Sequence, residues 1–166
     1  FAFAEFQFQF LKNNTRKFLN DVRSDYINEI IKPMILKKAV DLVNQHKKAG
    51  DRLLIITATN SFITKPIGEL FGIHELIGTD PEENEGEFTG KVKGTPSFKE
   101  GKVTRLFDWL DEKNLKLADF EKTFFYSDSH NDLALLEVVT NPVVVNGDKI
   151  LLKKAQEKNW PTLKLK

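Results

Sequence analysis

Directly behind Lys47-Lys48-Ala49-Gly50 the chain runs into Arg52-Leu-Leu-Ile-Ile-Thr57. Basic residues suit the carbonyl end of a helix, and a glycine there supplies the left-handed cap. A short, unbroken apolar run immediately after such a cap predicts a strand buried on both faces, the pattern of a parallel sheet covered by helices. This run therefore restricts the chain to architectures in which strands and helices alternate.

The rest of the sequence fits that restriction. Phe18, Leu19, Val22, Tyr26, Ile27, Ile30 and Ile31 recur at three- and four-residue spacing and predict an amphipathic helix over 15–31, interrupted by Pro33. A second helix is expected over 34–49, then the strand just described, a helix over 63–71 capped by Gly72, and a short strand near 76–78. Alternating residues around Glu85-Gly86 predict a β-hairpin within 82–94. Helices over 101–114, 132–139 and 149–158 alternate with strands over 123–127 and 142–146. The fold class expected is α/β, a Rossmann-like doubly wound parallel sheet. In the Phe-rich opening, Phe6, Phe8 and Phe10 alternate as in a strand, whereas Phe3, Phe6 and Phe10 fit one helical face; helix is the reading adopted.

With 166 residues, one compact domain is expected. Charged residues make up 30% of the chain but the net charge is only +1, which argues against bulk attraction to nucleic acid or membrane and makes any anion site local. The absence of cysteine excludes disulfides, thiolate metal sites and a cysteine nucleophile. No apolar run reaches the length of a membrane span, no signal-peptide pattern opens the chain, and a cytoplasmic protein is expected. The opening at Phe1, without a methionine, suggests a fragment or a processed product.

In open α/β sheets ligands bind beyond the carboxyl ends of the strands. One strand runs into Ser127-Asp-Ser-His-Asn-Asp132, where Asp128 and Asp132 offer the oxygen donors that hold Mg2+ together with water and phosphate; equally, these residues suit the start of the next helix. Another strand ends in Thr57-Ala58-Thr59-Asn60, where a hydroxyl and free amides could grip a phosphoryl oxygen, or where Thr59 or Ser61 could simply cap a helix. Lys102 follows Gly101 at a helix start, where a cation opposes the helix dipole; it is either matched to an anion or solvated.

In their order along the chain, Leu53-Leu-Ile-Ile-Thr-Ala-Thr-Asn60, Gly101-Lys102 and Tyr126-Ser-Asp-Ser-His-Asn-Asp132 resemble motifs II, III and IV of the haloacid dehalogenase (HAD) superfamily. The likeness is greatest to the phosphoserine-phosphatase-like branch, subfamily IB, which has a small helical cap. It implies that residues 1–32 are the end of that cap and 33–166 the α/β core. It also implies a Mg2+-dependent hydrolase of a small phosphorylated metabolite. Thr57, Ala58, Thr59, Lys102 and Asn131 would contact the phosphoryl group, with Thr57 and Lys102 catalytic, and Asp128 and Asp132 would hold the metal. Ser127 stands where many members have glycine.

The family's motif I, an Asp-x-Asp that provides the nucleophile on a central strand, has no counterpart in these 166 residues. The resemblance therefore implies that catalysis needs a segment absent from this sequence, and that the chain alone is inactive. A contrasting expectation is a non-catalytic module that binds metal or phosphate, or that presents its phenylalanines to a partner. Oligomeric state is not legible.

Overall fold

In the computed structural model, the structure describes residues 2–165, without the side chains of 2–5 and 7. These residues form two compact units, one ending at Ser97 and the other beginning at Phe98. Both are built of α/β elements with parallel strand pairs, the fold class expected from the apolar runs.

The first unit opens with α1 (Ala2–Lys12), α2 (Arg16–Tyr26), a π-helical turn over Ile27–Ile31 and α3 (Lys32–Met34). The Thr15 hydroxyl accepts from the Phe18 amide and caps α2. Pro33 does not interrupt the helix as expected, because the chain stays helical to Met34. The widened turn just upstream, closed by the Lys32 amide on the Ile27 carbonyl, gives room to a residue that has no amide hydrogen to donate. Next come α4 (Lys37–Ala49), β1 (Leu54–Asn60), α5 (Ser61–Leu70), β2 (Glu75–Thr79), β3 (Pro81–Asn84) and β4 (Glu87–Val92).

Gly50 ends α4 at φ 80°, the left-handed cap expected there. β1 pairs in parallel with β2, Ile56 opposite Ile77. Residues 54–57 are half-buried rather than enclosed. The β3–β4 hairpin turns on Glu85 and Gly86, at φ 50° and 85°, so both central residues are left-handed and the turn is type I′.

The core of this unit is Phe8, Leu11, Leu19 and Phe88, with Phe62 and Val92 packed against it. The Phe-rich opening is helical, but the face it buries carries Phe8 and Leu11, while Phe6 and Phe10 are exposed. The expected Phe3, Phe6, Phe10 face is thus corrected for Phe6 and Phe10, and the Phe3 side chain lies outside the described residues. Arg16 ties helix to hairpin by donating to the Gly86 carbonyl, pairing with Glu83 at 2.7 Å and stacking over Phe88.

The second unit contains α6 (Glu100–Glu112), β5 (Phe124–Ser127), α7 (Leu133–Leu136), β6 (Asn141–Val145), α8 (Lys149–Lys158) and β7 (Thr162–Leu163). Its parallel sheet has the order β5-β6-β7. Val144 is fully buried and packs with Leu136, Leu151 and Ala155, flanked by Phe125, Leu133 and Trp160. Each such side chain withdrawn from water contributes about 1.5–3 kcal/mol. The helix expected over 132–139 is shorter: a 3₁₀ turn at His130–Asp132 precedes the single α-turn of α7.

Candidate active site

At the carboxyl end of β5 the chain leaves the sheet at Ser127 and enters a loop held by its own side chains. The Ser129 amide donates to Ser127 Oγ, and the Asn131 amide and side-chain nitrogen both reach Ser129 Oγ, each at 3.2 Å. The Asp132 amide closes the turn on the Ser129 carbonyl at 3.0 Å. These bonds account for the run of serines and asparagine, whose short polar side chains bond nearby backbone.

Ser127 Oγ donates to Asp132 Oδ2 at 2.7 Å, and Lys102 Nζ lies 2.6 Å from Asp132 Oδ1. Both members of this ion pair are buried, with side chains 7% and 9% exposed. Lys102 stands in the first turn of α6, where the helix dipole disfavours it, and removing a charge from water costs several kcal/mol per ion. Asp132 supplies the compensating anion, so Lys102 is not a solvated surface lysine.

Asp128 differs from Asp132 in every respect. It is exposed, and its carboxylate makes no hydrogen bond or ion pair among the described residues. Its backbone carbonyl is nevertheless fixed by the Asp148 amide at 2.9 Å. The loop thus presents one uncommitted carboxylate and one that is buried and engaged through both oxygens. Among the described residues no group of three or more His, Asp or Glu converges as a ready-made metal cage. The donor set is oxygen only, and two carboxylates suit a small hard cation that keeps several waters.

Asp148, which the residue pattern alone does not single out, follows β6. It caps α8 by accepting from the amides of Ile150 and Leu151, both at 2.9 Å, and it also accepts from the His130 amide at 2.7 Å. The His130 ring Nδ1 lies 2.9 Å from the same carboxylate. Burial pushes the Asp148 carboxyl up, but the amides of Leu151 and His130 and the His130 ring outweigh it and hold it at about 2. An aspartate just before a predicted helix signals a cap. Its reach into the β5 loop follows only from the pairing of β5 with β6, Ser127 opposite Val144.

The remaining predicted residues belong to the first unit. Thr57 is half-buried in β1, and its hydroxyl accepts from the Thr59 amide at 3.2 Å; Ala58 and Thr59 are exposed. The cap of α5 is neither Thr59 nor Ser61 but Asn60, whose side chain accepts from the Ile63 amide at 3.0 Å. Lys102, Asp128, Asn131 and Asp132 lie within the second unit, and Asp132 is in direct contact with both Lys102 and Ser127.

The fold is of the α/β type with parallel strands, and residues 2–137 match the haloacid dehalogenase-like hydrolase family. The chain belongs to that family. It is 45% identical over 166 residues to a histidinol-phosphatase of Neisseria meningitidis, covering 99% of this chain and 75% of that protein. A crystal structure of a protein of unknown function from Bordetella pertussis superposes with a TM-score of 0.96 at 43% identity, covering 98% of this chain and 73% of the other. A probable phosphoserine phosphatase of Vibrio cholerae shares the fold, with a TM-score of 0.64 at 15% identity, over 86% of this chain and 42% of its own.

Proposed function

We propose that this chain carries the lysine, metal-binding and phosphate-binding parts of a Mg2+-dependent phosphomonoester hydrolase. The observation that carries the reading is the buried Lys102–Asp132 pair on the loop that also exposes the free Asp128 carboxylate. Phosphoryl transfer needs charge neutralisation and in-line positioning more than elaborate covalent chemistry, and these groups are of that kind.

In this reading Lys102 neutralises the phosphoryl oxygens while Asp132, 2.6 Å away, orients the lysine ammonium. Asp128 would hold Mg2+, with Asp132 completing or orienting the metal shell, and the bound ion would add positive charge at the transferring group. By the family resemblance Thr57 would donate a hydrogen bond to the phosphoryl group, which Ala58, Thr59 and Asn131 would also contact. The family resemblance assigns residues 1–32 to the end of a cap and 33–166 to the α/β core.

The nucleophile is not among these residues, since no two of their aspartates stand two positions apart. The 166 residues alone are therefore proposed to bind but not to turn over. Because of the 45% identity to a histidinol-phosphatase, histidinol phosphate is the first substrate to assay.

The test compares this chain with the same chain extended by a strand ending in Asp-x-Asp, each assayed on histidinol phosphate with and without Mg2+. Turnover is expected in the extended protein alone, abolished by Lys102→Met. Robust turnover by the 166 residues would refute the assignment of the missing nucleophile. If neither Mg2+ nor inorganic phosphate alters the melting temperature of the extended protein, the site itself is wrong.

A further inference from the structure

Asp148 makes more bonds than a helix cap requires. Capping needs one side-chain oxygen facing the first amides of the helix. In α8 that is Oδ1, which accepts from Ile150 and Leu151. The second oxygen, Oδ2, accepts from the His130 amide at 2.7 Å and faces the His130 ring at 2.9 Å, while the Asp148 amide donates to the Asp128 carbonyl at 2.9 Å.

These contacts complement the bonds that the β5 loop makes within itself. Ser127 Oγ, Ser129 Oγ and the Ser129 carbonyl hold the amides of Ser129, Asn131 and Asp132. The Asp128 carbonyl and the His130 amide are the backbone groups held by Asp148. The first belongs to the Asp128–Ser129 peptide and the second to the Ser129–His130 peptide, so the grip falls on the backbone directly behind the free carboxylate.

The local sequence makes this reach possible. β5 and β6 run parallel in register through Ser127 and Val144, so the chain leaves both strands at the same end of the sheet. Asn146 then turns at φ 48°, and Gly147 passes so close to Val144 that a Cβ would lie 2.4 Å from its Cγ1. Asparagine tolerates the left-handed conformation and glycine the close approach.

We propose that Asp148 is a positioning residue for the metal-binding loop: it fixes the two peptides that follow Asp128, so that a divalent cation meets a carboxylate whose direction is already set. The proposal rests on the reading of Asp128 as a Mg2+ ligand. Groups that orient ligands in this way affect metal affinity by about 10- to 100-fold.

Two substitutions separate the grip from the cap. Asp148→Ser keeps one capping oxygen and offers none to His130. Asp148→Asn also caps α8, but its amide nitrogen cannot accept from the His130 amide. Mg2+ is titrated into the 166-residue protein and the variants, followed by melting temperature and by exchange of the His130 amide hydrogen. Both variants are expected to bind Mg2+ about 10-fold more weakly and to lose protection at His130, in addition to the lowering of the metal-free melting temperature that loss of the carboxylate brings. A purely structural role would lower the melting temperature without a selective loss of Mg2+ affinity.

If the unsubstituted protein titrates with Mg2+ and the variants titrate equally well, the positioning role is refuted and the metal reading stands. If the unsubstituted protein shows no saturable response, both fall together. Should Asp148→Ser fail to fold, Asp148→Asn decides.

Discussion

Lys102 and Asp132 meet 2.6 Å apart in the interior of the second unit, one from the first turn of α6 and the other from the 3₁₀ turn behind β5. Removing one member of such a pair leaves an uncompensated buried charge, at a cost of about 3–5 kcal/mol. Lys102→Met and Asp132→Leu should each destabilise the protein by that order in urea denaturation. The double variant should recover most of the loss, because an apolar pair of similar volume needs no desolvated charge. A double variant no more stable than either single one would show that something other than the stranded charge destabilises them.

Asp128 should behave oppositely. Its carboxylate is exposed and makes no bond among the described residues, so Asp128→Ala should change metal-free stability by no more than about 0.5 kcal/mol. The same variant should lose the Mg2+-dependent rise in melting temperature expected of the unsubstituted chain. Retention of that rise would place the metal elsewhere.

Gly147→Ala puts a methyl group 2.4 Å from Val144 Cγ1, and Val144 is fully buried between α7 and α8 residues. Neither side can give way easily, and the expected loss is about 1–3 kcal/mol by thermal or urea denaturation. Gly86→Ala, where nothing lies within 4 Å, should instead show only the cost of its left-handed φ.

The Asp148 carboxyl sits at about 2, below its ordinary 3.8. A group depressed in the folded state contributes stability that is fully present above its unfolded value and disappears as pH falls through the folded one. The stability difference between the unsubstituted protein and Asp148→Asn should thus hold steady above pH 3.8 and close as the pH falls towards about 2. Acid unfolding followed by circular dichroism measures it, and a difference that widened on acidification would contradict the sign.

Much of this architecture is legible in the sequence because its signals are local. The Lys47–Gly50 cap, the apolar run behind it and the Glu85-Gly86 turn depend on near neighbours, and each is found where the residues point. Pro33 misleads because a π-turn five residues long absorbs its missing donor, and nothing in the residue pattern announces that turn. The buried face of α1 misleads because Phe6, Phe8 and Phe10 are chemically alike, and only the position of Phe88 on β4 selects Phe8.

The candidate site divides along the same line. The types and order of Thr57, Lys102, Asp128 and Asp132 can be read directly, whereas the buried pairing of Lys102 with Asp132 and the role of Asp148 need the strand register. Short β7 at Thr162–Leu163 is also missed, since two residues are too few to show a period.

Connections between strands and helices are ordinarily where a protein tolerates insertions and deletions. The link from β6 to α8 is an exception in prospect. Asn146, Gly147 and Asp148 act as a measured spacer, whose length sets which backbone position meets the loop after β5. One residue more or fewer would move Asp148 off the Asp128 carbonyl and the His130 amide together, even with α8 still capped. Among relatives that keep the aspartate, its spacing from the end of β6 should therefore be invariant, while other surface connections of the chain are free to drift in length.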